Sequence, residues 1–363
     1  MRYLAQRPSG EFVHTDIPLV DASPTWELSG PGGLDGYLAP DVGEAIAWDG
    51  HPVIDEWGTI IHLEQDGLIR GSWDVERVDY VGARLKVECR GVAGYPAGLV
   101  ARVDWSLIQV DPAQVFRDLW AHVQSYQDGN RRVTVVGETP VRIGTDERTV
   151  DFTTGAGEHV SFTAGPYRIS EADATDVGRE LDSLAADTPF DFTTHSSWNA
   201  DQSDVLHEIR IHYPKAGRRR HDLDFIQGDN ITSVVPLEGS GDVWASEVLG
   251  IGAGEGKLAL RRSMGKVSHR LRRTRVVEAK DVKSAARLDR IIADEYASIA
   301  PAPGVDSIRV RDHPNAPIGA WQLGDEILIQ TVQPHLGDYQ GWHRIVAWTW
   351  LPEGGAEIEV RRV

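Results

Sequence analysis

Cysteine is nearly absent from this sequence of 363 residues, and no long apolar run occurs in it. The single cysteine, Cys89, excludes an intrachain disulfide and a cysteine-rich metal site. A membrane-spanning helix needs roughly 18 or more consecutive apolar residues, so we expect no stable membrane insertion. The N-terminus lacks the apolar segment of a signal peptide, and we therefore expect no export by that route.

The remaining composition is that of an ordinary globular protein. Hydrophobic residues make up 41% of the chain and charged residues 25%, which excludes a disordered chain or a collagen-like repeat. The length suffices for two or three compact domains. Leu85, Val87 and Cys89 alternate with polar residues, so we expect the thiol to be buried on one face of a strand.

Acidic side chains outnumber basic ones by 55 to 37, and the charge is unevenly distributed. Residues 1–210 hold 35 acidic and 16 basic side chains, a balance that repels nucleic acid. Residues 257–290 instead hold 12 lysines and arginines against three acids, with a dense run from Arg270 to Arg275. Two interpretations stay open: this stretch meets a polyanion or an acidic surface of another subunit, or it is the solvated face of a strand pair.

Residues 1–107 show the pattern of short β-strands separated by turns. Alternating or β-branched runs, which favour strands, occur at 25–28, 59–63, 68–70 and 84–89. Asp-Gly dipeptides favour the positive φ of tight hairpins, and they occur at Asp35-Gly36, Asp49-Gly50 and Asp66-Gly67. We predict an antiparallel barrel or sandwich.

The period changes at Asp111, where we predict a helix of about four turns. Asp111 can cap the helix, and Pro112 suits its first position. Apolar residues then recur at steps of three and four, a spacing typical of a buried helix face. They are Val115, Phe116, Leu119, Trp120, Val123 and Tyr126.

A second helix is predicted from Ser170, which with Asp173 approximates a capping box. Its apolar stripe consists of Val177, Leu181 and Leu184. Strands are predicted at 133–136, 190–193 and 208–213. Residues 108–222 are therefore predicted to be an α+β module between two β regions.

Residues 223–363 return to the β pattern around one helix. The helix is predicted at 281–299, capped by Asp281. Strands are predicted at 243–249, 257–261, 275–278, 326–330, 342–350 and 357–360. The glycine-rich stretch 250–256 lacks the third glycine and the following helix of a dinucleotide-binding loop, so we interpret it as a turn.

No constellation of catalytic, cofactor-binding or metal-ligating residues is predicted. His207 and His212 fall on opposite faces of a strand, so they cannot share a metal ion by this spacing. No nucleophile motif occurs. The acid pairs Asp55-Glu56 and Asp146-Glu147 leave a glycosidase open, because its two carboxylates are placed by the fold and not by sequence spacing.

Several short motifs are similar to those in minor tail proteins of long-tailed bacteriophages of actinobacteria. They are TWELSGPGGL at 25–34, WGT at 57–59, EQDG at 64–67, ECRGVAGYP at 88–96, DPAQVFR at 111–117 with Trp120 and Gln124 after it, and GIGAGEG at 250–256. The order is maintained over most of the chain. The sequence thereby resembles the siphophage baseplate hub, or tail-associated hub, family.

This resemblance implies a β-rich α+β fold with two tail-tube-like β-barrel domains and an inserted α+β domain. The first barrel would comprise 1–107 and be completed by a strand near 205–213. The insert would comprise 108–222, and the second barrel 223–363. Three chains would form a ring with pseudo-sixfold symmetry.

The implied function is structural and not enzymatic. A homotrimeric hub would close the tail tube of the virion and contact the distal tail ring, the tape-measure protein and a central fibre or spike. DNA would only pass through its lumen, and the protein would be made in the host cytoplasm. Many hubs continue into a fibre or peptidase domain, whereas this sequence stops at Val363, so we expect no wall degradation.

Two other functions stay open. A distal tail subunit or a receptor- or carbohydrate-binding subunit would be favoured by exposed tryptophans. A cell-wall glycan hydrolase would require two acids about 5 to 9 Å apart in one cleft. For the hub, we predict that the acidic residues 1–210 of one subunit or ring contact the basic stretch 257–290 of another. Charge reversal at Arg272 and Arg273 should then block assembly.

Overall fold

A sheet of twelve strands contains most strands from the two ends of the chain. Strands account for 45% of the chain and helices for 14%, which confirms the predicted β-rich character. The computed structural model describes residues 1–153, 159–235, 244–254, 256–267, 269–280, 282, 285–299, 305–333 and 337–363. None of the helices formed by these residues is both long enough and apolar enough to cross a membrane.

The first β region contributes seven strands to this sheet. Its elements are β1 (Arg2–Gln6), β2 (Phe12–Ile17), β3 (Val20–Glu27), β4 (Gly33–Leu38), α1 (Pro40–Gly43), β5 (Ile60–Gln65), β6 (Leu68–Val81) and β7 (Arg84–Gly91). The strands follow the order β3-β4-β7-β6-β5-β1-β2. All pairs in this series are antiparallel, as the sequence predicted.

Two of the three Asp-Gly turns form as predicted. Asp66 and Gly67 have φ of 55° and 77° and connect β5 to β6, and Gly50 has a φ of 84°. The prediction for Asp35-Gly36 is wrong, because both residues lie inside β4. Glycine is needed there for space: a Cβ on Gly36 would lie 2.6 Å from Cγ of Leu19.

The middle module combines two helices with small sheets. Its elements are β8 (Trp105–Leu107), α2 (Pro112–Gln124), β9 (Val133–Val136), β10 (Arg148–Thr153), β11 (His159–Ala164), β12 (Tyr167–Ile169), α3 (Val177–Asp187), β13 (Asp191–Trp198) and β14 (Val205–His212). β9, β14 and β13 form a three-stranded sheet. Phe116, Trp120, Leu181 and Phe192 belong to one buried core that the helices share with this sheet.

Helix α2 begins where the sequence predicted, because the Asp111 side chain accepts a hydrogen bond from the backbone N–H of Ala113 at 2.9 Å. The second helix begins later than predicted. Ser170 caps only a short 3₁₀ turn, Glu171–Asp173, which ends at Ala174 in the left-handed region. Asp176 then caps α3 by accepting from the N–H of Arg179, so the nearer cap determines the start.

Strand β14 is the element expected to complete the first barrel. Its hydrogen-bond partners are β13, antiparallel, and β9, parallel. It therefore belongs to the sheet of the middle module, which corrects the predicted pairing. The physical reason is apolar burial, because Ile209 and Ile211 of β14 pack into the core that contains α2 and α3.

The C-terminal region holds the remaining elements. They are β15 (Arg219–Ile226), β16 (Glu247–Ile251), β17 (Arg261–Gly265), β18 (Thr274–Glu278), α4 (Ala285–Ser298), β19 (Ser307–Val310), β20 (Glu326–Gln333), β21 (Gly337–Trp350) and β22 (Ala356–Arg362). The strand predicted at 257–261 is instead a 3₁₀ turn, Gly256–Leu258, followed by β17. Asp281, the predicted cap of α4, lies outside the described residues, as does residue 243.

The two β regions are joined directly. Strand β21 pairs with β3, with Trp348 opposite Trp26, and the two indoles stack at 4.2 Å between ring centroids. The hydroxyls of Thr25 and Thr349 are 2.7 Å apart across the same pair. Among the described residues, the two regions thus form one hydrogen-bonded sheet, and their closure into two barrels stays a prediction.

Candidate functional site

The residues considered for chemistry do not converge on a reaction centre. Within the described ranges, no three or more His, Cys, Asp or Glu side chains are grouped as metal ligands. Cys89 is buried in β7, and burial raises the pKa of its thiol, which disfavours the thiolate form a nucleophile needs. His207 is buried in β14 while His212 lies on the other face, as predicted.

The acid pairs considered for a glycosidase lie at the surface. Glu56, Asp146 and Glu147 are exposed. A cleft of about 390 Å³ between the first β region and the middle module is lined by two other carboxylates, Glu76 and Asp182. Glu76 is paired with Arg90 at 2.9 Å, so it is not free to act as the second carboxylate of a hydrolase.

The glycine-rich stretch 250–256 serves packing between a strand and a helix. Gly250 lies in β16, and a Cβ there would lie 2.6 Å from Cγ2 of Ile292 in α4. Gly254 and Gly256 have φ of 103° and 56°, which L side chains rarely adopt. The turn prediction therefore holds at Gly254 and Gly256, whereas Gly250 lies in a strand and leaves space for the helix.

The basic stretch 257–290 folds as two outer strands and a covering helix. β17, β16 and β18 form a three-stranded sheet, and α4 packs on one face of it through Leu288 and Ile292. Two cations on this face pair with the helix: Arg262 with Asp289 at 2.7 Å, and Arg275 with Glu295 at 2.6 Å. Part of the basic charge is therefore used within the fold.

Four more of these cations lie on the segment between β17 and β18. We call residues 266–273 the basic loop; all but residue 268 are described. Arg272 pairs with Glu247 at 2.5 Å, and the Arg270 guanidinium lies 5.3 Å from the ring centroid of Trp244. Lys266 and Arg273 are exposed and form no ion pair with any described residue.

The basic loop also exposes two apolar side chains. Val267 is 97% exposed and Leu271 is 86% exposed. Such residues do not stabilise the fold of their own chain, because they bury almost no apolar area in it. An exposed apolar group beside unpaired cations is typical of a surface that contacts another macromolecule.

A second exposed surface has the opposite charge. We call residues 44–57 the acidic loop; they connect α1 to β5 and contain four acids and no lysine or arginine. Buried Val53 and Ile54 anchor the loop to the first core. Its two tryptophans instead face outwards, with Trp48 69% and Trp57 50% exposed.

A buried polar cluster joins the first β region to the middle module. Arg131 donates two hydrogen bonds to Oδ1 of Asp74, from Nη2 at 2.6 Å and from Nε at 3.0 Å, and both side chains are less than a tenth exposed. His62 stacks on His207 with 5.8 Å between ring centroids. Breaking a buried pair by removing one partner costs about 3–5 kcal/mol, so this cluster fixes how the two parts meet.

The imidazoles of this cluster are held neutral. Burial, together with the charge of Arg131, lowers the pKa of His62 to about 3 and also lowers the pKa of His207. Nδ1 of His62 lies 2.7 Å from Oγ of Ser72, and Nε2 lies 2.9 Å from Oε1 of Gln6.

Sequence reasoning missed this cluster. Arg131 and Asp74 are 57 positions apart, and no local pattern connects them. The exposure of Trp48 and Trp57 was also not predicted, although their position among Gly, Pro and Asp residues, outside any alternating run, was a usable signal.

Comparison with known proteins places this fold among phage tail proteins. No family model matches the chain, and no curated protein sequence matches it. In solved structures, the fold is similar over 100% of the chain to the 43 kDa tail protein of prophage MuSo2 from Shewanella oneidensis, with 98% of that chain covered, a TM-score of 0.59 and 12% identity.

Two further solved structures show the same likeness. The first is a tail protein from Neisseria meningitidis MC58. The match covers 100% of this chain and 96% of that one, with a TM-score of 0.56 and 14% identity. The prophage tail protein gp18 from Listeria monocytogenes EGD-e is covered to 94% by 99% of this chain, with a TM-score of 0.56 and 11% identity. At these identities the likeness shows a common fold.

Proposed function

We propose that this chain is a structural subunit of a phage tail tip, a minor tail protein of the type found in actinobacterial siphophages. In this proposal three copies form the baseplate hub, which closes the tail tube and joins it to the distal fibre or spike. The observation that carries the proposal is the similarity in fold to three tail proteins. It extends over 99–100% of this chain and over 94–98% of the tail proteins' own chains.

The arrangement of the chain supports a ring of three. The first β region precedes the middle module in the sequence and the C-terminal β region follows it, and the two regions pair through β3 and β21. Three chains with two β regions each would present six β units around an axis. Contacts of this kind require large complementary surfaces but no catalytic groups.

The proposed domains follow the predicted boundaries. Residues 1–107 and 223–363 would be the two tube-like barrels, and 108–222 the insert. The partners would be the distal tail ring, the tape-measure protein and the central fibre or spike. The protein would act in the virion after synthesis in the host cytoplasm, and DNA would only pass through the lumen.

A second candidate function is favoured by the acidic loop. Trp48 and Trp57 present large exposed indole faces, and sugar rings stack on such faces. A receptor- or carbohydrate-binding tail-tip subunit would use them for host attachment. Loss of glycan binding in Trp48→Ala and Trp57→Ala, with oligomeric state unchanged, would support this function over the hub.

The deciding experiment is electron microscopy of the chain in assembled tails, with class averaging of the ring that contains it. A threefold ring with two β units per subunit around a channel is the expected result. A sixfold ring would instead indicate a distal tail subunit. A monomer outside any ring would overturn the structural proposal.

A further inference from the structure

None of the described residues of the same chain covers the two apolar side chains of the basic loop. Exposures of 97% for Val267 and 86% for Leu271 leave both side chains in solvent. Lys266 and Arg273 add positive charge on either side of them and form no ion pair with the described residues. A surface that combines unpaired cations with exposed apolar groups is complementary to a partner surface that is both acidic and apolar.

The acidic loop of the same sequence has this combination. Asp55 and Glu56 form no ion pair with the described residues, whereas Asp49 is already paired with Arg7 at 2.6 Å. Trp48 and Trp57 supply exposed indoles, which attract both aliphatic side chains and guanidinium groups. Residues 40–69 contain seven acids and no lysine or arginine, so no neighbouring cation in the sequence weakens this field.

We propose that the basic loop of one copy of this chain docks on the acidic loop of the next copy, with Val267 and Leu271 against Trp48 and Trp57. The occupant is a second copy because both complementary surfaces are present in one chain and the described residues of that chain cover neither. Two different patches that meet form a heterologous contact, which closes a ring when repeated around a rotation axis. The inference rests on the proposed hub and names the surfaces by which it assembles.

Charge exchange between the two loops tests the pairing. The first variant, Lys266→Glu with Arg273→Glu, reverses the two unpaired cations and leaves the Arg272–Glu247 pair intact. The second variant, Asp55→Lys with Glu56→Lys, reverses the acidic loop. A third chain carries all four substitutions and restores opposite charges with the signs exchanged.

We expect each reversed variant to self-associate at least 100-fold more weakly than the wild type, as measured by sedimentation velocity and mass photometry. The fourfold variant should return to within about tenfold of the wild type. The control Arg311→Glu with Arg361→Glu makes the same change in net charge as the basic-loop variant, at exposed sites of the C-terminal region, and should leave association unchanged. Unaltered far-UV circular dichroism and melting would show that each variant is folded.

A mixture of the two reversed variants also reports on ring size. Unlike neighbours attract in this mixture and like neighbours repel, so subunits must alternate. A ring of three cannot alternate, and we expect the mixture to form dimers and open chains but no closed trimers.

Each remaining result contradicts a defined part of the proposal. If both reversed variants form trimers as strongly as the wild type does, the pairing of the loops is wrong. The proposal of a trimeric hub would not be affected by this result. Dissociation by the basic-loop variant alone, without rescue by the fourfold variant, would show that the basic loop contacts a different surface. A wild type that stays monomeric at all concentrations would overturn the trimer and the pairing together.

Discussion

Replacing the buried imidazole of His62 tests the electrostatics of the joint between the first β region and the middle module. His62→Gln retains a neutral polar group near Ser72 and Gln6 but cannot bind a proton. In the folded protein, the burial of His62 lowers its pKa from 6.5 to about 3, and the positive charge of Arg131 acts in the same direction.

The sign of the effect follows from linkage. Between about pH 6.5 and pH 3 the unfolded chain binds a proton at this site that the folded chain does not bind, so the free energy of unfolding falls as the pH falls. Each pH unit in that window is worth about 1.4 kcal/mol, and pH 5 lies about 1.5 units inside it. His62 should therefore cost the wild type about 2 kcal/mol at pH 5 and almost nothing at pH 7.5.

The assay is urea unfolding of both proteins at pH 7.5 and at pH 5. Tryptophan fluorescence and circular dichroism should give coincident transitions, which is the condition for extracting a single free energy. Burial raises the pKa of Glu180 and of Asp182, which acts in the opposite direction. Both proteins contain these carboxylates, so their contribution cancels in the comparison.

The wild type should lose about 2 kcal/mol more than His62→Gln between the two pH values. His221→Gln, at an exposed position of β15, should behave as the wild type does. Equal losses in the wild type and in His62→Gln would refute the reasoning, because the imidazole would then take up its proton equally well in the folded and unfolded states.

Three further predictions concern packing and capping. Asp111→Ala should lower the free energy of unfolding by about 2 kcal/mol, because Asp111 caps α2 and also accepts two hydrogen bonds from Thr139. Asp111→Asn should lower the free energy of unfolding by a smaller amount in the same urea titration. Gly91→Ala should cost about 3 kcal/mol, since its Cβ would lie 1.7 Å from the backbone oxygen of Pro31, whereas Gly165→Ala, with nothing within 4 Å, should be neutral. Cys89 should react with a thiol reagent only after denaturation, and rapid reaction of the native protein would show that β7 does not bury it.

Local signals accounted for the elements that the sequence predicted well. Helix α2 has a capping aspartate, a proline at its first position and an apolar stripe, and all three agree on its start. The turn at Asp66 and Gly67 is likewise determined by the two residues themselves. Where local preferences agree, the fold follows from short windows of sequence.

The errors occurred where a local signal competed with another contact. Ser170 does cap a turn, but Asp176 provides the cap from which a full helix extends. Asp35-Gly36 has the composition of a turn, yet Gly36 gives space to Leu19 inside a strand. Neither outcome can be read from the dipeptide or the cap alone, because each depends on a residue elsewhere.

The candidate surfaces also have features that the sequence predicts and features that only the structure shows. The positive charge of the basic loop was evident from composition, and its position between two strands follows from β17 and β18. The exposure of Val267 and Leu271 required the structure, since valine and leucine in a β-rich region are ordinarily assigned to a core. The His62–His207 stack required it as well, because its members come from distant strands.

The pairing of β3 with β21 has a consequence for biosynthesis. Thr25 and Thr349, which meet across this pair, are 324 positions apart in the chain. At ribosomal rates of about 5–20 residues per second, β3 waits on the order of tens of seconds for its partner strand. During this time its free edge and the Trp26 indole are open to strands of neighbouring nascent chains. Truncated translation products that end before β21 retain this open edge permanently, so the yield of soluble protein depends on how completely each chain is synthesised.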